Sequence, residues 1–218
     1  MSAAVLAPVR GTAGEPEGSM PLAWLLAALA GWVDAVGLTH GFHIYLSFMS
    51  GNTTNLAGFV AQQHWQPAGM VACVILLFVA GSVAGECVAR PGWRFGRTVI
   101  LLLEAAALSL AVALDRGLPA AFAMGVQTSV MHRSEGQSVS LAYVTGTLVQ
   151  VGRSLAAGHF RIAGLHATLW FSLTAGAVAG MLLAGPSLRL AMVTPAIAAV
   201  LLAGIAAWRE FASTRHRH

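Results

Sequence analysis

The sequence predicts an all-α fold: a polytopic transmembrane helical bundle built from two three-span inverted repeats, each with a broken or re-entrant polar helix. Three observations lead there. The chain is 57% hydrophobic and 9% charged, whereas an ordinary soluble domain carries about a quarter charged residues. Apolar stretches of membrane-crossing length recur along it. The chain is also written twice, since Met49-Ser50-Gly51-Asn52-Thr53-Thr54 returns 95 positions later as Val144-Thr145-Gly146-Thr147-Leu148-Val149. The same offset carries Ala80-Gly81-Ser82-Val83-Ala84-Gly85 onto Ala175-Gly176-Ala177-Val178-Ala179-Gly180, and an offset of 94 carries Gly31-Trp32-Val33-Asp34 onto Gly125-Val126-Gln127-Thr128. Duplicated apolar units are a recurring plan of transporters, whose binding site forms where the copies meet.

The expected division is a disordered cytoplasmic tail over 1–20, membrane repeat 1 over 21–116, membrane repeat 2 over 117–210 and a basic cytoplasmic tail over 211–218. The first tail has Gly, Pro and Ala around Arg10, Glu15 and Glu17, without the basic start and long apolar run of a signal peptide. Apolar segments follow at 22–39, 42–61, 68–89 and 98–114, then at 118–131, 138–157, 164–184 and 190–208. The second segment of each copy is set apart by a central Gly flanked by hydroxyl and amide side chains, a poor face to show to lipid.

Charge decides whether those second segments cross. All twelve basic residues are Arg. If the second segments do not cross and the 90–97 loop is inside, Arg10, Arg90, Arg94, Arg97, Arg133, Arg153, Arg161, Arg209, Arg215 and Arg217 are cytoplasmic, and only Arg116 and Arg189 lie outside. If all eight cross, the excess moves to the outer face. The positive-inside rule selects the first arrangement. Three crossings per copy, an odd number, invert one copy relative to the other, with both termini in the cytoplasm.

Asp34 lies halfway along the first span. An ionisable group at that depth costs at least about 2.5 kcal/mol, so it should face the protein interior, as a proton-coupling site or a solute ligand. Glu104 in the fourth span is a second proton-coupling candidate, and its counterpart in the other copy is Ala199. In Ser50-Gly51-Asn52-Thr53-Thr54-Asn55 the Gly lowers the cost of a helix break, and a half-helix starting there would aim backbone N–H groups into the membrane. That suits a polar or anionic solute, and makes Ser50, Asn52, Thr53, Thr54 and Asn55 candidate ligands. Thr145, Thr147 and Gln150 repeat the pattern, and Gln127 with Thr128 brings polar atoms opposite the Asp34 region. His40 and His43, just past the first span, could tune proton entry.

Gly81 and Gly85, repeated as Gly176 and Gly180, are small-xxx-small pairs expected to pack the two third spans against each other or against another subunit, so a homodimer is allowed for. Cys73 and Cys87 lie in one apolar stretch and are expected to be buried thiols. No phosphate loop, metal-binding Cys/His cluster or nucleophile elbow appears in the sequence. The chain is therefore expected not to be an enzyme and to need no cofactor or metal. Its expected partners are membrane lipid and an unidentified small solute, not nucleic acid.

Gly31-Trp32-Val33-Asp34-Ala35-Val36-Gly37, Phe48-Met49-Ser50-Gly51-Asn52-Thr53-Thr54, Ala123-Met124-Gly125-Val126-Gln127 and Val144-Thr145-Gly146-Thr147-Leu148 resemble, in order and spacing, the signatures of the YoaK-like bacterial membrane proteins, a family of unknown function. The resemblance implies a small bacterial inner-membrane protein and brings no established substrate or catalytic residue. Ser50 stands where that family often has Thr, and Thr128 where it often has Asn. The reading that follows is a secondary transporter or facilitator of a small polar or anionic solute, with proton coupling through Asp34. Its alternative is a membrane scaffold or sensor in which the polar residues serve as glue.

Overall fold

The structure, a computed structural model, describes residues 20–40, 43–89, 95–134 and 144–215, and of 131–134 and 213–215 only the backbone. Expectations for the tails at 1–19 and 216–218, and for the first residues of the 138–157 segment, lie outside the described residues. The described residues form eight helices: α1 (Met20–Thr39), α2 (Met49–Ala61), α3 (Trp65–Val88), α4 (Gly96–Leu114), α5 (Leu118–Ser134), α6 (Val144–Ala156), α7 (Phe160–Leu183) and α8 (Leu188–Arg215). Among the described residues there is no strand. Residues 211–215 continue α8 instead of starting a tail, because nothing in Phe211-Ala212-Ser213-Thr214-Arg215 stops a helix.

Five helices, α1, α3, α4, α7 and the 188–212 part of α8, are long and apolar enough to cross a bilayer. α5 has 17 residues. α2 and α6 have 13 each, about 20 Å of helix against an apolar layer of about 30 Å, so neither spans it alone. Leu76, Val79 and Val83 on α3 and Leu182 and Leu183 on α7 are exposed. A continuous outer surface of that kind is suited to lipid rather than to water.

The copies share local construction. α2 turns into α3 through Gln63, in the left-handed region at φ 59°, and α6 turns into α7 through Gly158 at φ 73°. Positions 63 and 158 are 95 apart, and the same hydrogen bond closes both turns: the His64 N–H donates to the Phe59 carbonyl and the His159 N–H to the Ser154 carbonyl, each at 2.8 Å. Only the first copy holds a non-glycine residue in that strained conformation.

The copies are also interleaved. α1 packs on α7 and α3 on α5, each a first span of one copy against the third span of the other, while α4 pairs with α8 and α1 meets α5. Exchanging the copies leaves this scheme unchanged. Glycine explains the tight pairs. A side chain at Gly81 would strike the Phe122 carbonyl, and one at Gly125 the Phe78 carbonyl; Gly176 meets the Ala28 carbonyl and Gly31 that of Leu173 in the same reciprocal way. The third spans thus pack on first spans and not, as expected, on each other, because their glycines face carbonyls that the first spans present.

Helix directions follow from the contacts. Along α1, Ala28, Gly31 and Ala35 meet Gly176, Ala177 and Gly180 of α7 in rising order, so the two run parallel, as do α3 and α5. Trp32 Nε1 donates to the Ala191 carbonyl at 2.9 Å, while Leu22 and Leu25 lie by Leu202 and Ala206, so α8 runs against α1. Cys73 is half-buried and Cys87 exposed. The expectation of buried thiols fails because α3 buries mainly the Ala68, Val71, Val74, Gly81 and Gly85 stripe and turns the rest outward.

Candidate functional site

A cavity of about 40 Å³ lies where the two copies meet, lined by Ala27, Ala30 and Asp34 of α1, Ser47 and Phe48 before α2, Phe78 of α3, Met124, Gln127 and Thr128 of α5, Val144 of α6 and Leu173 of α7. Three pairs in this lining are repeat equivalents: Asp34 with Thr128, Ala30 with Met124, and Phe78 with Leu173. The cavity therefore sits on the relation between the copies and belongs to neither alone.

Asp34 reaches it because α1 carries Gly31, Ala35 and Gly37 around it, small residues that let neighbouring chain come close. Its carboxylate is already engaged. Oδ1 accepts from the Leu46 N–H at 2.7 Å and the Ser47 N–H at 2.6 Å, and Oδ2 accepts from the Ser47 hydroxyl at 2.6 Å. The chain between His43 and Phe48 is extended or bent, not helical, so its backbone groups need outside partners. Asp34 supplies acceptors for two of them. Asn52 serves a third residue on both sides: its Oδ1 accepts from the Tyr45 N–H at 3.0 Å and its Nδ2 donates to the Tyr45 carbonyl at 2.6 Å. Asn52 is completely buried, and an amide is the side chain that can do both.

The other members of the polar segment are placed differently. Ser50, Thr53 and Thr54 are exposed and Asn55 is half-buried. The Thr53 and Thr54 hydroxyls donate back to the Met49 and Ser50 carbonyls, four residues earlier. In the second copy Thr145 is exposed, Gln150 half-buried and Thr147 buried. Thr147 lines a small adjoining void of about 10 Å³ with Ala27, Val144 and Leu173. Positions 52 and 147 are equivalent, so both copies bury a polar side chain one turn into the short helix.

Gln127 joins the copies directly, its Nε2 donating to the Leu26 carbonyl of α1 at 2.6 Å. Its Oε1 is buried with no hydrogen-bond partner. The Thr128 hydroxyl donates to the Gly125 carbonyl at 2.6 Å. Glu104 does not line the cavity. It is fully buried in α4, and neither of its carboxyl oxygens has a partner. His40 ties the end of α1 to the α7–α8 turn, its Nε2 at 2.8 Å from the Gly185 carbonyl, and His43 is exposed. The sequence does not single out Ser47, and Phe48 enters there only through the family signature; the hydroxyl just ahead of the polar segment is the available signal. Among the described residues no cluster of His, Cys, Asp and Glu is suited to hold a metal.

The family described as "Protein of unknown function (DUF1275)" matches residues 22–208. The chain belongs to the DUF1275 family. A curated relative, the UPF0700 transmembrane protein RA0705 of Rhizobium meliloti (strain 1021), is 32% identical over 191 residues, which make up 83% of each chain. No solved structure matches. Together with the apolar helices, these similarities make this DUF1275 protein an integral, multi-pass membrane protein. They uphold the expected membrane family of unknown function, and neither carries the YoaK name. The matched region takes in all eight helices apart from the ends of α1 and α8, so the cavity and every candidate residue around it lie inside the family's common segment.

Proposed function

We propose that the protein is a secondary transporter or facilitator of a small polar solute in the bacterial inner membrane, with the cavity between the copies as its solute site. The observation that carries this reading is the lining itself: equivalent residues of both copies, Asp34 and Thr128 among them, face one space. One support comes from the fold. The late residues Val126 and Val130 of α5 cluster with Ala23, Leu26 and Ala27 of α1, and its earlier Ala120, Ala121 and Met124 with Leu29, Val33 and Val36, so α5 and the α3 parallel to it run against α1, which is what a second segment that enters and leaves on one side requires. Applied to both copies, that gives three crossings each, copies of inverted orientation, cytoplasmic termini and the Arg distribution of the positive-inside rule. Rocking of one copy against the other around the cavity would then alternate access. Asp34 takes part as solute ligand and as the proton-coupling carboxyl, and Glu104 as a second, asymmetric acid. The protein is read as a non-enzyme.

The test is a thermal-stability screen of the purified protein against small metabolites and ions, with Asp34→Asn and Thr128→Val beside it, since a ligand that binds only the folded state raises apparent stability. A compound that stabilises wild type and neither variant supports a solute site. Flux of that compound in proteoliposomes, lost in Asp34→Asn, supports transport. The second reading, a scaffold or sensor, is favoured by the hydrogen bonds of Asp34 and Asn52, both of which hold the 45–47 backbone in place. On that reading both variants lower stability and no compound binds.

A further inference from the structure

We infer that the cavity binds a small monovalent cation, ammonium or an alkali ion; this rests on the solute-site reading above and names the class of ligand. Most side-chain hydrogens in the lining are already committed. The Ser47 hydroxyl hydrogen is spent on Asp34 Oδ2 and the Thr128 hydroxyl hydrogen on the Gly125 carbonyl. One Gln127 amide hydrogen is spent on the Leu26 carbonyl. That bond also fixes the orientation of the amide, because the reverse assignment would set oxygen against oxygen. What the polar side chains of the lining leave unspent is, beside the second hydrogen of the Gln127 amide, oxygen: the Asp34 carboxylate, the Ser47 and Thr128 hydroxyl lone pairs, and Gln127 Oε1. The last is the most telling. Gln127 is 3% exposed, and its Oε1 has no partner. A buried carbonyl oxygen left unpaired costs about 1–3 kcal/mol, a cost that a donor or cation drawn in beside Gln127 would remove.

Charge points the same way. Among the described residues Asp34 is the one ionisable side chain in the lining, with no Arg or His beside it. Inside a membrane protein an acidic group of this kind is ordinarily matched by a cation or by a proton. The carboxylate's three donors satisfy its hydrogen-bonding capacity in part without neutralising its charge. Size narrows the class further, because about 40 Å³ holds only a few water-sized bodies, enough for ammonium or a partly hydrated alkali ion and too little for a quaternary amine.

The experiment is a thermal-stability titration of the full-length protein in nanodiscs of uncharged lipid, using NH4Cl, NaCl, KCl and choline chloride, with sodium formate and sodium nitrate as anion arms against NaCl. The expected result is a saturable rise in Tm of several degrees with at least one of the small cations and none with choline. A response to ammonium alone assigns the selectivity to donor hydrogens on the Gln127 and Thr128 oxygens; a response to alkali ions as well assigns it to charge and size. In Asp34→Asn and in Gln127→Met the half-saturating concentration should rise roughly ten-fold, a difference of about 1.4 kcal/mol. Thr128→Val, which leaves the loop contacts intact, should show a smaller rise in the same direction. An equal response to choline, a response to formate or nitrate beyond that to chloride, or unchanged half-saturation in all three variants would overturn the inference. Cation binding without cation flux in proteoliposomes supports the inference and removes the transport reading, whereas anion binding with anion flux does the reverse.

Discussion

Asp34 and Thr128 hold equivalent places in the two copies, and their side chains line one cavity. The equivalence is broken in chemistry. The first copy contributes a carboxylate that holds its own 46–47 backbone, and the second a hydroxyl that bonds within its own helix and lies 3.4 Å from the Ser82 hydroxyl of α3. Thr128→Val removes only that hydroxyl, so it should shift thermal stability by less than about 1 kcal/mol while weakening any solute response. A loss of stability as large as that of Asp34→Asn would count against a ligand role for Thr128.

Asn52 and its exposed neighbours should behave in opposite ways. Asn52→Ala removes both bonds to Tyr45 and leaves a partly buried N–H and carbonyl unpaired, so it should destabilise by about 2–4 kcal/mol. Thr53→Ala and Thr54→Ala give up only local bonds on an exposed face and should stay within about 0.5 kcal/mol. Chemical or thermal unfolding in detergent checks all three.

The glycines divide as sharply. Gly81→Ala or Gly176→Ala would press a methyl group onto a carbonyl of the partner helix, forcing apart a pair that holds the two copies together. A loss above about 3 kcal/mol or failure to assemble is expected. Gly58→Ala in α2 and Gly204→Ala in α8 meet open space and should be neutral or stabilising by up to about 1 kcal/mol. Expression yield and thermal stability of the four variants form one internally controlled set.

Glu104 offers a test of function against packing. Its two buried oxygens without partners predict that Glu104→Gln is close to neutral and Glu104→Leu neutral or stabilising by about 1–3 kcal/mol. A stabilised Glu104→Leu that loses flux would assign the carboxyl to coupling. A destabilised one would mean that Glu104 has structural partners.

The repeat, the helical class and the polar centre were legible in the sequence because each rests on local information: composition, period and a motif that returns at a fixed offset. The pairing of α1 with α7 and of α3 with α5 was not, because Gly81 and Gly176 announce a close approach without saying to what. Asp34, Gln127 and Thr128 could be placed by depth in their spans, and they do share a cavity. Ser50, Thr53 and Thr54 could not be separated from Asn52, since facing in or out depends on how α2 lies against α3. Ser47 escaped notice because its role is set by the path of a non-helical segment, which hydrophobic periodicity does not encode.

If, as proposed, two oppositely oriented copies enclose one site, equivalent positions of the copies face opposite sides of the membrane. Gln62 and Ala157 are equivalent, 95 residues apart and both exposed, one after each short helix. In a background with Cys73 and Cys87 replaced, Gln62→Cys and Ala157→Cys can each be probed in intact cells with a membrane-impermeant thiol reagent. Position 62 is expected to label from the periplasm and position 157 only after the membrane is opened. Labelling of both from the same side would contradict it, because the copies would then share one orientation and the cavity could not lie between inverted halves.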